Sequence, residues 1–443
     1  MSLSHPHRGP RVHGLRAVLL GALVCLGAAA CGDNNILQQD APSRVGVDQL
    51  NNPANAGLLV NSAVGDFECA LAQYIVATGR VSDELGDAQF FEEGWNYDRR
   101  TVRPFLLDYA TVTCELGVQN PGIYAPVSIA RFQADDALRR LDAWTDEQVP
   151  SRDSLISVAA TFAGYSLVLM GETFCTSAID VGPELTPAQL FTEAESRFTR
   201  AIAAATAGNN AEILSLAYLG RARARRGLNR LTDASADAAL VPPGFEYDAT
   251  YSSAAVRREN RVYAQFFRDA ASTVEPSFRD LTVDGVPDPR VVVIDAGFEG
   301  QDTFTPIFAA TKYPAVDSPI PIGRYEEAQL IIAEAELEAG NPNGAIAIID
   351  ALRSAVGLPA YSGATDAAAV RSALVEERRH ELFLEGHRLA DQIRYQLPLD
   401  PAPGTPYETS FGDKGGSYGS QLCFPLPDVE RNNNPNIGSG SGS

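Results

Sequence analysis

The chain has 443 residues, 45% of them hydrophobic, with 35 basic and 56 acidic side chains and a formal charge of −21 at pH 7. That much apolar material supports a substantial core, in one large domain or a few ordinary ones, and excludes global disorder. A negative field of this size repels phosphate backbones, so nucleic acid is not expected as a partner; the acidity reads first as a solvated extracellular surface.

The N-terminus reads as an export signal. Arg8, Arg11 and Arg16 make a basic region, and Ala17–Ala30 is an apolar run, shorter than the ~20 residues of a membrane-spanning helix. It closes on Ala28-Ala29-Ala30-Cys31-Gly32. Small residues before a cysteine resemble a bacterial lipobox, which makes Cys31 the lipidated first residue, although Ala28 stands where lipoboxes more often carry Leu. Ordinary signal cleavage near the same place is the alternative. Asp33, so close to the lipidation site, leaves the receiving membrane open. The predicted organisation is a signal over 1–30, a tether over 31–47, one domain over 48–437 and a low-complexity tail over 438–443. The domain divides into N-terminal helices and helix pairs (48–241), a loop-rich insertion (242–321) and a C-terminal region (322–437).

A helical pattern runs from Asp48 to Thr78, followed by SDELGDAQFFEEGWNYDRR, a loop without clean period. Helical patterns resume over Arg99–Cys114 and over Pro126–Trp144, where Trp144 is read as core. Ser151–Met170 is a largely apolar helix, and Thr186-Pro187 caps another that reaches Ala205. Ala211–Gly227 and Thr232–Leu240 follow, with small residues suited to close helix crossings. Pro242–Pro321 is rich in Pro, Gly, Tyr, Phe and Asp. It predicts little helix outside Asn260–Ala271, a short strand over Val291–Ile294, and loops of the kind that carry binding sites.

Arg324–Gln396 is the most strongly patterned stretch. RYEEAQLIIAEAELEAG and NPNGAIAIIDALRSAVGLP predict an antiparallel helix pair of tetratricopeptide type, with Asn341-Pro342 opening the second helix and Gly357 and Pro359 stopping it. A third helix is predicted from about Asp366, with Val375, Leu382, Leu389 and Ile393 along one stripe. The AEA helix after an Arg, the LRSAVGLP stop, EERRHELFLEGHRLADQIR and the terminal CFPLPDVERNNNPNIG together resemble the SusD/RagB family of outer-membrane nutrient-binding lipoproteins. The resemblance implies a mostly α-helical, tetratricopeptide-like scaffold with a loop-rich binding face. It implies a cell-surface lipoprotein that takes up an extracellular oligosaccharide or similar nutrient and passes it to a TonB-dependent, SusC-like outer-membrane transporter. SDELGD loosely matches the family's Asp-rich loop, and Gly171-Glu172 its Gly-Asp turn.

Beyond the signal and Cys31, four cysteines remain: Cys69, Cys114, Cys175 and Cys423. In an exported chain they favour two disulfides, with three connectivities possible. Cys69–Cys114 with Cys175–Cys423 is chosen only because TFCTS and LCFPLP both look like loops. Neither a CxxC pair nor four convergent ligands is visible, so no metal or other cofactor is expected.

His380 and His387, seven apart and so on one helical face, lie near Glu377, Glu381 and Glu385. His380-Glu381 lacks the second histidine of HExxH, and Glu385 and Arg378 read as partly buried ion pairs, with Arg388 and Asp391 as partners. No catalytic residue is nominated, and the protein is not expected to be an enzyme. For a sugar, aromatic faces on loops are the candidates. Trp95 with Tyr97, flanked by Asn96 and Asp98, comes first, and Phe245, Tyr247, Tyr251, Tyr313, Tyr407, Phe411 and Tyr418 are the other candidates. A periplasmic helical-repeat scaffold that binds another protein is the alternative, and a divergent hydrolase the third reading.

Overall fold

The computed structural model describes residues 50–90, 92–114, 121–407 and 414–438. Cys31 with the signal and tether, Phe411 and the last five residues lie outside them. The N-terminal part is α1 (Ala56–Val81), β1 (Leu85–Asp87), α2 (Glu92–Asp98), α3 (Leu107–Thr111), α4 (Tyr124–Ala143) and α5 (Arg152–Thr173). β2 (Ser177–Ala178) and β3 (Glu184–Leu185) lead into α6 (Pro187–Ala207), α7 (Ala211–Gly227) and α8 (Leu231–Ala238). The insertion holds β4 (Glu246–Ala249), α9 (Arg261–Phe267), β5 (Ser272–Val274), β6 (Thr282–Val283), β7 (Val286–Pro287), β8 (Val293–Glu299), β9 (Pro306–Ala310) and β10 (Ile320–Arg324). The C-terminal region is α10 (Tyr325–Glu338), α11 (Pro342–Ala355), α12 (Ala367–Glu381), α13 (Arg388–Tyr395) and α14 (Asp428–Asn433). The architecture is mostly α, as expected.

Capping chemistry sets several helix starts. Thr186 and Gln189 close a full capping box with Pro187 in the first turn. Asn341 accepts from the Gly344 amide ahead of Pro342, and Asp366 accepts from the Ala368 and Ala369 amides. α5 is apolar and long enough to cross a membrane, yet 83% of its most apolar window is buried inside the protein; it is the central core helix.

The helices of the scaffold close on one another through rings set against glycines. Phe198 of α6 lies against Gly164 of α5 and Gly220 of α7, where an added Cβ would come within 2.8 and 2.3 Å of the ring. One heptad back, Phe191 lies against Gly171 and Gly227 at 2.8 and 2.7 Å. Two rings of one helix thus seat on two pairs of glycines in its neighbours. α10 and α11 form the predicted antiparallel pair, with Leu330, Leu337, Ala345 and Ile349 in a shared core with Leu374 of α12.

Among the described residues every sheet is a two-stranded antiparallel ribbon: β1–β5, β4–β10, β2–β3, β6–β7 and β8–β9. Cys69 is bonded to Cys114 and Cys175 to Cys423. The second bridge lies beside backbone bonds between Cys175 N and Phe424 O (2.9 Å) and between Phe424 N and Thr173 O (2.9 Å), which fix the C-terminal segment to the end of α5.

Three expectations need correction. The stretch 99–114 is helical only over Leu107–Thr111, and the loop predicted over 82–100 contains both β1 and α2. The helix predicted from Asp366 onward is two helices. α12 ends at Glu381 and α13 starts at Arg388, and the turn between carries Leu384 at φ 53° and Gly386 at φ 81°. A Cβ on Gly386 would stand 2.7 Å from the Tyr74 ring, so both backbone and packing call for glycine there. His380 and His387 therefore do not share a helical face.

Candidate functional site

The charged residues of Arg324–Gln396 tie elements together. Arg324 donates to both oxygens of Glu385 (3.2 and 3.1 Å) and to Glu381 (2.6 Å). Arg378 meets Asp391 at 2.8 Å, and Arg226 of α7 bridges Glu334 (2.6 Å) and Asp391 (2.8 Å). Arg290 joins Asp288, Glu377 and Glu381. His380 Nδ1 lies 2.9 Å from Asp288. Burial of Asp288 opposes ionisation, but the bonds from His380 and Arg290 win and hold its carboxyl well below the usual range. His387 is fully buried, and burial together with the guanidiniums of Arg223, Arg378, Arg226 and Arg324 pushes its pKa well down, so it is neutral. Among the described residues no group of His, Cys, Asp or Glu is arranged to hold a metal ion. These charges are the internal ion pairs the sequence suggested, although Arg388 pairs outside the region, with Asp83 (2.6 Å to each oxygen).

Asp83 belongs to SDELGD, and the rest of that stretch builds the candidate site. Glu84 Oε1 accepts from the Leu384 amide at 2.9 Å. Leu85–Asp87 pairs with Ser272–Val274, and Arg80 reaches across to Gln265 (2.7 Å), the Ala271 carbonyl (2.8 Å) and Ser272. Asp302, in the turn between β8 and β9, bonds the Ala88 carbonyl through its amide (3.1 Å). The Lys414 ammonium sits between Asp87 (3.1 Å) and Asp302 (3.0 Å). Asp98 accepts from the Asp87 amide and the Tyr407 hydroxyl, both at 2.8 Å. Burial raises the Asp87 carboxyl to about 6 against the pull of Arg80 and Lys414, and burial raises Asp98 likewise.

Over this polar floor stands an aromatic corner. The Trp95 indole N–H donates to the Gln89 carbonyl at 3.1 Å, leaving the ring half-buried. Lys414 Nζ and Arg99 Cζ lie 5.5 and 5.9 Å from its centroid, and Lys414 is 5.9 Å from that of Phe304, within cation–π range. Phe90, next to Gln89, is 60% exposed. The corner offers flat apolar faces beside hydrogen-bonding edges and a neutralised cation. That suits adsorption of a ring with a C–H face and a polar rim.

The nominated residues divide. Trp95 is at the corner. Asn96 is buried, its side-chain oxygen accepting from Arg99 and Thr101 (3.2 Å each). Tyr97 is 1% exposed, donates to the Pro121 carbonyl (2.9 Å) and packs edge-on against Phe424. Tyr407 is buried above Asp98, and Tyr418 is half-buried at 5.0 Å from it with the Arg100 guanidinium 5.1 Å from its own centroid. Tyr251 is buried with its hydroxyl on the Glu68 carbonyl (2.8 Å), and Tyr247 packs beside Phe162. Tyr313 is buried on the Leu384 carbonyl. Asn96, Tyr97, Tyr251 and Tyr407 are therefore framework, and Tyr247 and Tyr251 do not reach the corner. Phe90, Phe304 and Lys414 were missed. Phe90 alone carried a signal, lying inside the loop already singled out.

The fold and this corner define a helical-repeat scaffold that carries a loop-built aromatic surface. Residues 311–439 match the model of the SusD family. No curated protein matches the chain. Among solved structures, a SusD superfamily protein from Bacteroides vulgatus superposes with TM-score 0.62 at 16% identity, over 87% of this chain and 98% of that one. A SusD-like carbohydrate binding protein from the same organism gives 0.63 at 15%, over 87% and 97%. A SusD superfamily protein from Bacteroides fragilis gives 0.63 at 14%, over 87% and 99%. The C-terminal region is thus similar to the SusD family, and the fold is the one shared by these SusD superfamily structures.

Proposed function

We propose that this protein is a lipid-anchored cell-surface receptor, held through Cys31, that binds an extracellular oligosaccharide and hands it to a TonB-dependent outer-membrane transporter. The aromatic corner of Trp95 and Phe304 around Lys414 carries the reading, because half-exposed rings beside a fixed polar floor are what a sugar face requires. The carbohydrate binding stated for a structural neighbour supports it, as do the lipobox and the family's C-terminal region. The test is purification of the lipidated protein from its own membranes in mild detergent. A β-barrel transporter recovered in near-equal amount is the expected result. Recovery with inner-membrane or soluble periplasmic partners instead would overturn the reading and promote a periplasmic scaffold.

A further inference from the structure

β8 joins the aromatic corner to a second feature. Its C-terminal end runs into the turn that carries Asp302 and Phe304. Gly300 there packs so closely on Ala88 that a Cβ would lie 2.6 Å from the Ala88 side chain. Just before its other end, Val292 enters a cleft of about 570 Å³ walled by Arg290, Lys312, Arg324, Glu246 and Glu381. The cleft's cations are matched by carboxylates: Arg290–Glu381 at 2.8 Å, Lys312–Glu385 at 2.5 Å and Arg324–Glu381 at 2.6 Å. It therefore calls for neither an anion nor a cation, and presents guanidinium and carboxylate edges that suit hydroxyl groups.

Between the two features the strand is uncovered, with apolar side chains exposed beside Asp295 and Glu299. Val292, Ile294 and Phe298 are 45%, 43% and 42% exposed. Val292, just before the strand, and Ile294 alternate onto one face, and Phe298 follows Gly297, whose φ of 76° bends the strand. Single exposed apolar side chains need no explanation, but two on one strand, with a third just before it, running up to the aromatic corner do.

We propose that the ligand is an elongated neutral oligosaccharide lying along β8, one end on Trp95 and Phe304 and the other in the cleft of Arg290 and Lys312. This rests on the reading of the aromatic corner as a sugar site. The seven residues of β8 at about 3.3 Å each set a track of about 20 Å, beyond the reach of a disaccharide. The test is calorimetric titration of the mature protein with cellohexaose, maltohexaose and xylohexaose and with the matching disaccharides. A hexasaccharide that binds is expected to bind at least tenfold more tightly than its disaccharide. Ile294→Lys and Phe298→Ser are expected to weaken it at least fivefold while leaving the disaccharide unchanged. Equal affinity for both lengths, or β8 variants without effect, overturns the track; if Trp95→Ala still abolishes that binding, the aromatic site stands. No binding of any of the six sugars overturns both.

Discussion

Replacing Gly220 by Ala tests the ring-on-glycine packing directly. In an open helix this change stabilises by about 1 kcal/mol, because alanine loses less backbone freedom on folding. At 220 the new Cβ would lie 2.3 Å from both Cε1 and Cζ of Phe198. The ring has no room to swing: it is fully buried, is held edge-on by Tyr165 at 5.1 Å, and faces Gly164 on its other flank. Overpacking costs about 1–3 kcal/mol, and a contact this short belongs to the upper part, about 2–3 kcal/mol, so after the propensity gain Gly220→Ala should destabilise by about 1–2 kcal/mol. Gly57 provides the control, since a Cβ there meets nothing within 4 Å, and Gly57→Ala should be neutral or stabilising. Urea midpoints of the two variants, with Phe198→Leu alone and combined with Gly220→Ala, decide the matter. The double variant should be more stable than the sum of its parts by at least about 0.5 kcal/mol. A Gly220→Ala midpoint equal to or above wild type, or strict additivity, would refute the packing argument.

Trp95→Ala should weaken oligosaccharide binding at least tenfold, about 1.4 kcal/mol, with the far-ultraviolet circular dichroism unchanged; titration calorimetry reads the first and a spectrum the second. The Glu84 carboxyl is raised to about 7 by burial, against the Leu384 amide it accepts from. A raised folded pKa gives stability that is full below the unfolded value near 4.5 and lost as pH rises through 7. Glu84→Gln should therefore gain on wild type between pH 5 and pH 8 by up to about 3 kcal/mol, seen as a melting-temperature difference that grows with pH; a difference constant across that window would contradict it. Glu334 has the opposite sign. Burial raises its pKa, but Arg226 and Arg394 win and hold it at about 2, so its contribution is present above pH 4.5 and fades as pH falls toward 2; Glu334→Gln should narrow its deficit against wild type as melts move from pH 6 to pH 3. The Cys175–Cys423 bridge spans 248 residues and Cys69–Cys114 spans 45. Loop-closure entropy makes loss of the first cost about 5 kcal/mol and of the second about 4, and the melts of Cys423→Ser and Cys114→Ser should fall in that order.

What could be read from the sequence was local and periodic. The capped starts at Thr186, Asn341 and Asp366, and the apolar stripes behind them, need only near neighbours to form, and they stand close to where the pattern put them. The break between α12 and α13 was hidden for the opposite reason. Glu381 and Glu385 look like the solvated face of a continuing helix, yet they are buried by Arg324, some sixty residues upstream, and the turn is held by Glu84, three hundred residues upstream. The misassigned tyrosines share that cause. A tyrosine amid Asp, Asn and Gly reads as a loop residue, but Tyr97, Tyr251 and Tyr407 are buried because distant carbonyl or carboxylate groups, those of Pro121, Glu68 and Asp98, satisfy their hydroxyls.

The candidate site was only half visible because its parts come from three distant segments, and one short stretch assembles them. SDELGD works in two directions. Asp83 and Glu84 hold the α12–α13 turn through Arg388 and the Leu384 amide, and Asp87 holds the aromatic corner through Lys414. The acidic side chains that in isolation suggest a cation site are consumed in positioning. The same six residues fix the charged C-terminal region at one end and the loop-built surface at the other. The scaffold therefore keeps a rigid footing under Trp95 while the insertion contributes Phe304 and the strand beyond it. On the proposed reading, such a surface would change its ligand by changing β8 and its turn, without disturbing the helices that carry it.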